Sequence, residues 1–387
     1  MDPHIVLNRP EPIVSEIEAV PFRKRMALQD AIEALVDGHH VLVKDFYSSG
    51  LLVLNELKRY VRHQYPDESY QGQRVNRAVF RDLSNRFLLQ VKDHRLVVRK
   101  APEIGWLKIL YPEVNEFLIP FSQVQGLNSA WQWYLNGVPM PVLKNRIFPF
   151  YGTYFPTRFE HLQLLDQWLE TYQGLKVTAI DVGVGCGVMT YQLLNHGFEQ
   201  VTATDSNPNA IYGMKEDLGK KGITSEVKLR FGDLFAQSNT QADLIVFNPP
   251  WLPLATDSDG LDQAMYYDED LFPRFFSEAH KYLKSDGRLV MLFSNLAQVT
   301  GLTKTNPIEE ELENGGRFQK ESLIKTKVNS ASQKTSRNQN WREDELVELW
   351  VLKLEKVAGG SEVPVRSAES RSRTGKNFEV IQSSAVD

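Results

Sequence analysis

The run ADLIVF (residues 242–247) is stopped by Asn248, Pro249, Pro250 and Trp251. Asn248 brings a side-chain carbonyl. The two prolines fix an extended backbone and have no N–H, so the main chain here presents acceptors. Trp251 adds a flat apolar face. Such a set suits a planar group bearing an NH2: two acceptors hold its hydrogens while the indole covers its plane. Held in that way, the nitrogen lone pair turns out of conjugation and towards an electrophile. Alkylating an amide or an aromatic amine requires that presentation.

An electrophile needs its own site, and the sequence offers one upstream. AIDVGVGCG ends an apolar run with Asp181 and then sets Gly183, Gly185 and Gly187. Glycines so placed let a strand turn tightly into a helix and let a ligand approach the backbone. The GxGxG spacing departs from the GxGxxG of dinucleotide folds, which weakens a nicotinamide reading. Asp205 closes the next apolar run, 18 residues after Gly187, where a carboxylate can accept from both ribose hydroxyls. Asp233, in GDLF, ends the third run near where an adenine edge would lie. Singly, each of these is compatible with a plain turn or a helix cap. In order, at successive strand ends, they predict a nucleoside cofactor.

These residues need a sheet to align them. From residue 176 onward, short apolar runs alternate with helical stretches. Strands are expected at 177–181, 200–205, 226–231, 243–247 and 288–293. Helices are expected over 187–197, 208–222 and 271–287, two of them ending in a lysine-rich turn and a glycine. That alternation predicts an α/β fold with a doubly wound, seven-stranded, mostly parallel sheet. Residues 318–328 and 345–356 both read as strands without a helix between them, so they are expected as an antiparallel pair at one sheet edge. The domain reading is a smaller N-terminal α/β or α+β domain over 1–150, a second domain over 151–357, and a disordered polar tail over 358–387. Within 1–150, residues 74–91 read as helical and 94–100 as a strand.

The chain has 387 residues and a net charge of −5, too little to make it a bulk polyanion binder. Two stretches are locally basic, 74–100 and 317–342. Arg74, Arg77 and Arg81 share one helix face, read as solvated in preference to a docking face for RNA or a ribosomal particle. Six acidic residues within 257–270 would repel phosphate beside the Asn-Pro-Pro-Trp site. The one cysteine, Cys186, excludes an internal disulfide and a cysteine-cluster zinc site, and reads as a small packed side chain. The eight histidines lack ligand spacing, so no metal is expected. No run is long enough to span a membrane and no secretory leader is visible; the single cysteine favours a reducing compartment, by default the cytoplasm.

Asp181-Val-Gly-Val-Gly-Cys-Gly187, Asp205, Asp233 and Asn248-Pro-Pro-Trp251 resemble the ordered motifs of class I S-adenosylmethionine-dependent N-methyltransferases. The arrangement is similar to the HemK/PrmC-type protein-glutamine methyltransferases and to the small-domain methyltransferases of ribosomal RNA. DSDGLD (257–262) is similar to the DGL stretch that follows the site in the HemK type, and residues 154–170 stand where that type has Pro-Arg-Pro-x-Thr-Glu. The sequence departs in having Trp251 where Tyr is usual and in the order of PTRFEH. The resemblance covers about residues 150–357. It implies S-adenosylmethionine as cofactor, held by Asp181, Gly183, Gly185, Gly187, Asp205 and Asp233, and a catalytic set of Asn248, Pro249, Pro250 and Trp251. It implies a protein glutamine side chain as acceptor, on a partner that could be ribosome-associated. An exocyclic amine of RNA, DNA or a small molecule is the alternative, and a catalytically silent cofactor-binding module is a third.

Overall fold

The computed structural model describes residues 6–67, 69–254, 265–328 and 344–355. The DSDGLD stretch, most of the polar link between the last two strands and the tail at 358–387 lie outside the described residues. Residues 1–355 form one compact unit. It contains two principal sheets, each with its own buried apolar cluster.

The first sheet holds β1 (Ala19–Phe22), β2 (His40–Val43), β3 (Phe87–Lys92), β4 (Arg95–Leu96) and β5 (Glu116–Pro120). β1, β2 and β3 run parallel, while β4 and β5 join β3 antiparallel. Helices α1 (Leu28–Val36), α2 (Tyr47–Gln64), α3 (Tyr70–Asn85), α4 (Trp106–Leu110) and α5 (Phe121–Asn136) belong to this half. Two expectations fail here. The helix over 74–91 stops at Asn85, because Phe87, Leu88 and Leu89 are fully buried at the centre of the sheet. The strand expected at 94–100 shrinks to the two residues of β4, which follow a turn at Asp93 and His94, both at positive φ.

The second sheet has seven strands: β6 (Thr178–Val182), β7 (Gln200–Asp205), β8 (Val227–Phe231), β9 (Ala242–Phe247), β12 (Leu283–Ser294), β13 (Phe318–Lys327) and β14 (Leu346–Leu354). A short pair, β10 (Leu252–Pro253) and β11 (Tyr266–Tyr267), stands apart from it. The order is β13-β14-β12-β9-β6-β7-β8, parallel except for β14, which is antiparallel to both β12 and β13. The expected doubly wound sheet and its antiparallel pair are both present. Helices α6 (Glu160–Thr171), α7 (Val188–Asn195), α8 (Pro208–Lys221) and α9 (Leu271–Tyr282) flank it. α8 ends as expected on Lys220 and Lys221 with Gly222 at φ 69°. α9 does not reach its glycine. It ends at Tyr282, and the chain enters β12 directly at the fully buried Leu283.

A parallel sheet gathers its strand ends on one rim. β6 and β9 are neighbours with Val182 opposite Phe247, so the residues after each emerge side by side. β7 flanks β6 on the other side. The glycine turn therefore lies between Asp205 and Asn248 along the rim, where ligands bind in such folds.

Candidate active site

β6 delivers Asp181 into the core, fully buried, two residues before the turn. Its Oδ2 accepts from Thr190 Oγ1 at 2.6 Å, while Oδ1 has no partner among the described residues. Burial pushes this carboxyl up to about 7, and the nearby Asp205 adds to the shift. The turn follows with Gly183, Gly185 and Gly187 at φ 75°, 50° and 83°. Gly187 has a second reason to be glycine: a Cβ there would lie 2.3 Å from Met214 Sδ. Over Gly183 the space is open, since a Cβ would meet only the Phe247 ring at 3.8 Å. An unpaired buried acceptor beside an open glycine turn has the chemistry to receive the cationic end of a ligand.

Asp205 ties the turn to the next helix. Its Oδ2 accepts the Gly185 N–H and its Oδ1 the Asn207 N–H, both at 2.8 Å. Burial raises its pKa, and the two N–H bonds oppose that by favouring the carboxylate. Cys186 donates its backbone N–H to Tyr154 O at 3.1 Å, and burial pushes its thiol up to about 12. It packs in the core as expected.

Beyond β9, Asn248 and Trp251 meet each other. The indole N–H donates to Asn248 Oδ1 at 3.2 Å and also to Leu292 O on β12 at 3.3 Å. The indole packs against the clusters on both faces of the sheet. The expectation of a freely offered aromatic face beside a free carbonyl is thus modified, because the ring has turned its polar edge onto that carbonyl. Asp233 stands two residues past β8, and its exposed carboxylate pairs with Arg274 of α9. Arg274 also reaches Asp268 at 3.9 Å. Asp181, the glycine turn and Asp205 are bonded or covalently adjacent and Asn248 adjoins them, while Asp233 is joined to α9.

Residues 162–319 match the family model described as the methyltransferase small domain. Over these residues the chain is similar to class I S-adenosylmethionine-dependent methyltransferases. A candidate protein N5-glutamine methyltransferase of Methanocaldococcus jannaschii is 26% identical over 147 residues, 36% of this chain and 73% of that one. The ribosomal RNA small subunit methyltransferase C of Alcanivorax borkumensis is 29% identical, over 44% of this chain and 48% of its own. The release factor glutamine methyltransferase of Streptococcus pneumoniae is 27% identical, over 33% and 48%. The chain thus spans about half the length of the latter two relatives.

The structure also brings to this site residues that sequence reasoning passed over. His161, at the start of α6, is 1% exposed and lies edge-on to Trp251, with ring centroids 5.5 Å apart. Neither of its nitrogens has a partner among the described residues, and burial lowers its pKa to about 4. Arg158 donates to the buried Glu345 at 2.9 Å, just ahead of β14. Arg74 of α3 stacks its guanidinium over Tyr266, 5.6 Å from the ring centroid, in the strand that follows the Asn-Pro-Pro-Trp loop. The only sequence signal for His161 was its place in PTRFEH. Arg74 was visible as a basic face but not as a neighbour of the site.

Proposed function

We propose that the domain methylates a planar amide or amine nitrogen, with a protein glutamine side chain as acceptor. The observation that carries this is the Asn248 carbonyl leaving β9 beside the glycine turn, with Pro249, Pro250 and Trp251 behind it. S-adenosylmethionine, when bound, supplies the electrophilic methyl group. Asp205 would accept from the ribose hydroxyls and Asp233 from the adenine amine once Arg274 shares it. The turn through Gly183, Gly185 and Gly187, with the unpaired oxygen of Asp181, would receive the cationic methionine end.

The acceptor nitrogen would give one hydrogen to Asn248 Oδ1 and the other to the Pro249 carbonyl. For this the indole N–H of Trp251 must leave Oδ1 and keep Leu292 O alone. Catalysis would then rest on orientation, with the nitrogen lone pair fixed towards the electrophile. Two of the relatives are named as glutamine methyltransferases, one of them for a release factor, which supports an amide on a cytoplasmic, ribosome-associated protein.

A second reading, an exocyclic amine of RNA, is favoured by one observation. Arg74 sits at Tyr266 beside the site, so the basic face of α3 is no longer remote from it. The test is to incubate the protein with tritiated S-adenosylmethionine and a cell extract split into protein, RNA and small-molecule fractions. Label in the protein fraction that acid hydrolysis releases as methylamine is the expected result. Label confined to RNA would transfer the assignment to a base amine. No transfer to any fraction, despite measurable cofactor binding, would point to a silent binding module.

A further inference from the structure

The first helical turn of α8 begins directly after Asp205, and it is held by residues far outside the methyltransferase small domain. Asn209 is fully buried and makes a two-point clasp on the backbone of Asn8. Its Oδ1 accepts the Asn8 N–H and its Nδ2 donates to the Asn8 carbonyl, both at 2.8 Å. The same Nδ2 donates to Tyr151 O at 2.7 Å. Asn207 caps α8 by accepting the Asn209 N–H at 3.0 Å, and its side chain bonds Gly152 O at 2.8 Å and Asn8 Nδ2 at 3.1 Å.

Asn8 belongs to an extended strap anchored on the first sheet. Arg9 donates to Leu110 O and pairs with Glu113, with its guanidinium 4.8 Å from the Tyr111 ring centroid. Tyr111 in turn donates its hydroxyl to Pro10 O at 2.7 Å, and Ile13 bridges to Leu118 of β5. The same helix leans on this half of the molecule further along. Tyr134 of α5 donates to Glu216 at 2.6 Å, and Gly213 is glycine because a Cβ would lie 2.5 Å from Phe150 Cβ. The start of α8 is therefore tied to the strap and, through the strap, to the first sheet.

We propose that Asn209, together with the strap that it clasps at Asn8 and that Arg9 anchors, is a positioning residue for the cofactor. It fixes the start of α8 and, through the Asn207 N–H, the carboxylate of Asp205. The inference rests on the reading of Asp205 as the ribose-binding residue. An exposed hydrogen bond contributes little alone, so the effect is carried by the buried clasp of Asn209 and by the Arg9 anchor. A purely local helix cap would not respond to Arg9, which touches neither α8 nor the rim. Arg9 therefore supplies the deciding readout.

The experiment is calorimetric titration of the full chain with S-adenosylhomocysteine, with initial rates at saturating cofactor, for Asn209→Ala, Arg9→Ala and Asp205→Ala. Asn209→Ala should weaken binding at least 10-fold. Arg9→Ala, at a partly buried side chain remote from the rim, should weaken it about 3-fold with kcat within twofold. Should Asn209→Ala fail to fold, Arg9→Ala remains decisive. Unchanged affinity in Arg9→Ala, with a large loss in Asp205→Ala, overturns the coupling. Unchanged affinity in Asp205→Ala instead removes the reading on which it rests.

Discussion

The indole N–H of Trp251 lies 3.2 Å from Oδ1 of Asn248, the oxygen that would orient the acceptor nitrogen. The residue expected to stack on the substrate is thus bonded to the residue expected to hold it. The contact pairs the indole N–H with the amide oxygen. It sets a small cost on entry, since the acceptor must displace one of two long bonds made by the indole. A typical net hydrogen bond contributes about 0.5–1.5 kcal/mol, and the retained bond to Leu292 O keeps the loss at the low end.

Trp251→Phe removes the N–H and keeps an aromatic ring. Freed from its internal partner, Asn248 should bind the acceptor more readily, lowering the acceptor KM by about 2–4-fold. Trp251→Ala removes stacking as well and should raise it. Steady-state rates over a range of acceptor concentrations check both. A Trp251→Phe enzyme with raised KM would show that the indole N–H itself serves the bound state.

Asn248→Ala should separate binding from chemistry. Affinity for S-adenosylhomocysteine should stay within a few fold, because Asn248 is not bonded to the glycine turn. The transfer rate should fall by roughly 100-fold or more, since the lost contact orients the nucleophile. Full activity in this variant would reduce Asn-Pro-Pro-Trp to a strand terminator.

With Asp181 receiving the cationic end of the cofactor as proposed, binding should depend on pH. Burial raises its pKa in the folded protein from 3.8 to about 7, so the native carboxyl keeps a proton that an unfolded chain would release above pH 4. That group costs the fold stability progressively from about pH 4 to pH 7, and the cost levels off above. A cationic ligand end on Oδ1 favours the carboxylate and expels the proton. Affinity should therefore climb between pH 5.5 and 7, by at most about tenfold per unit. It should turn over as the ligand's own ammonium titrates near 7.7–8.0, the ordinary α-amino range. Calorimetry in buffers of differing ionisation heat counts the released proton. Asp181→Asn should abolish the climb, and a flat wild-type profile would place the ligand's cation elsewhere.

The nature of the acceptor can be read from salt. A nucleic acid crossing the α3 face should lose affinity steeply, with log K falling by about 0.7 per log unit of salt for each phosphate contacted in a single strand. A glutamine-bearing protein should show a shallow slope governed by rim charges. The shallow slope is expected. A steep slope that flattens when Arg74, Arg77 and Arg81 are reversed to Glu would favour RNA.

What the sequence could disclose divides along the distance over which each feature is determined. β6, β7, β8 and β9 fell within a residue of their expected places because apolar runs and capping glycines are local signals, as in AIDV before Gly183 or KKG at the end of α8, whereas β12 begins at Leu283, ahead of its expected start at 288. Residues 87–92 were lost because an apolar strand follows α3 after a single residue, with no glycine or proline between them. The glycine turn and Asp205 were legible because backbone geometry demands particular residue types there. The pairing of Asp233 with Arg274, of Arg158 with Glu345 and of Asn209 with Asn8 was not. Those partners lie 41, 187 and 201 residues apart, and only tertiary packing selects them.

Cys186 sits inside the glycine turn, 9% exposed and with its thiol pushed up to about 12. Because the chain has no other cysteine, a thiol reagent added to the native protein can react at one place only, and only while that turn is open. The rate of modification is then a direct gauge of how often the ligand cradle breathes, read against a background free of competing thiols. Bound ligand should slow it by the factor 1 + [L]/Kd, so a mass spectrometer and a clock would measure cofactor affinity without any methyl acceptor in hand.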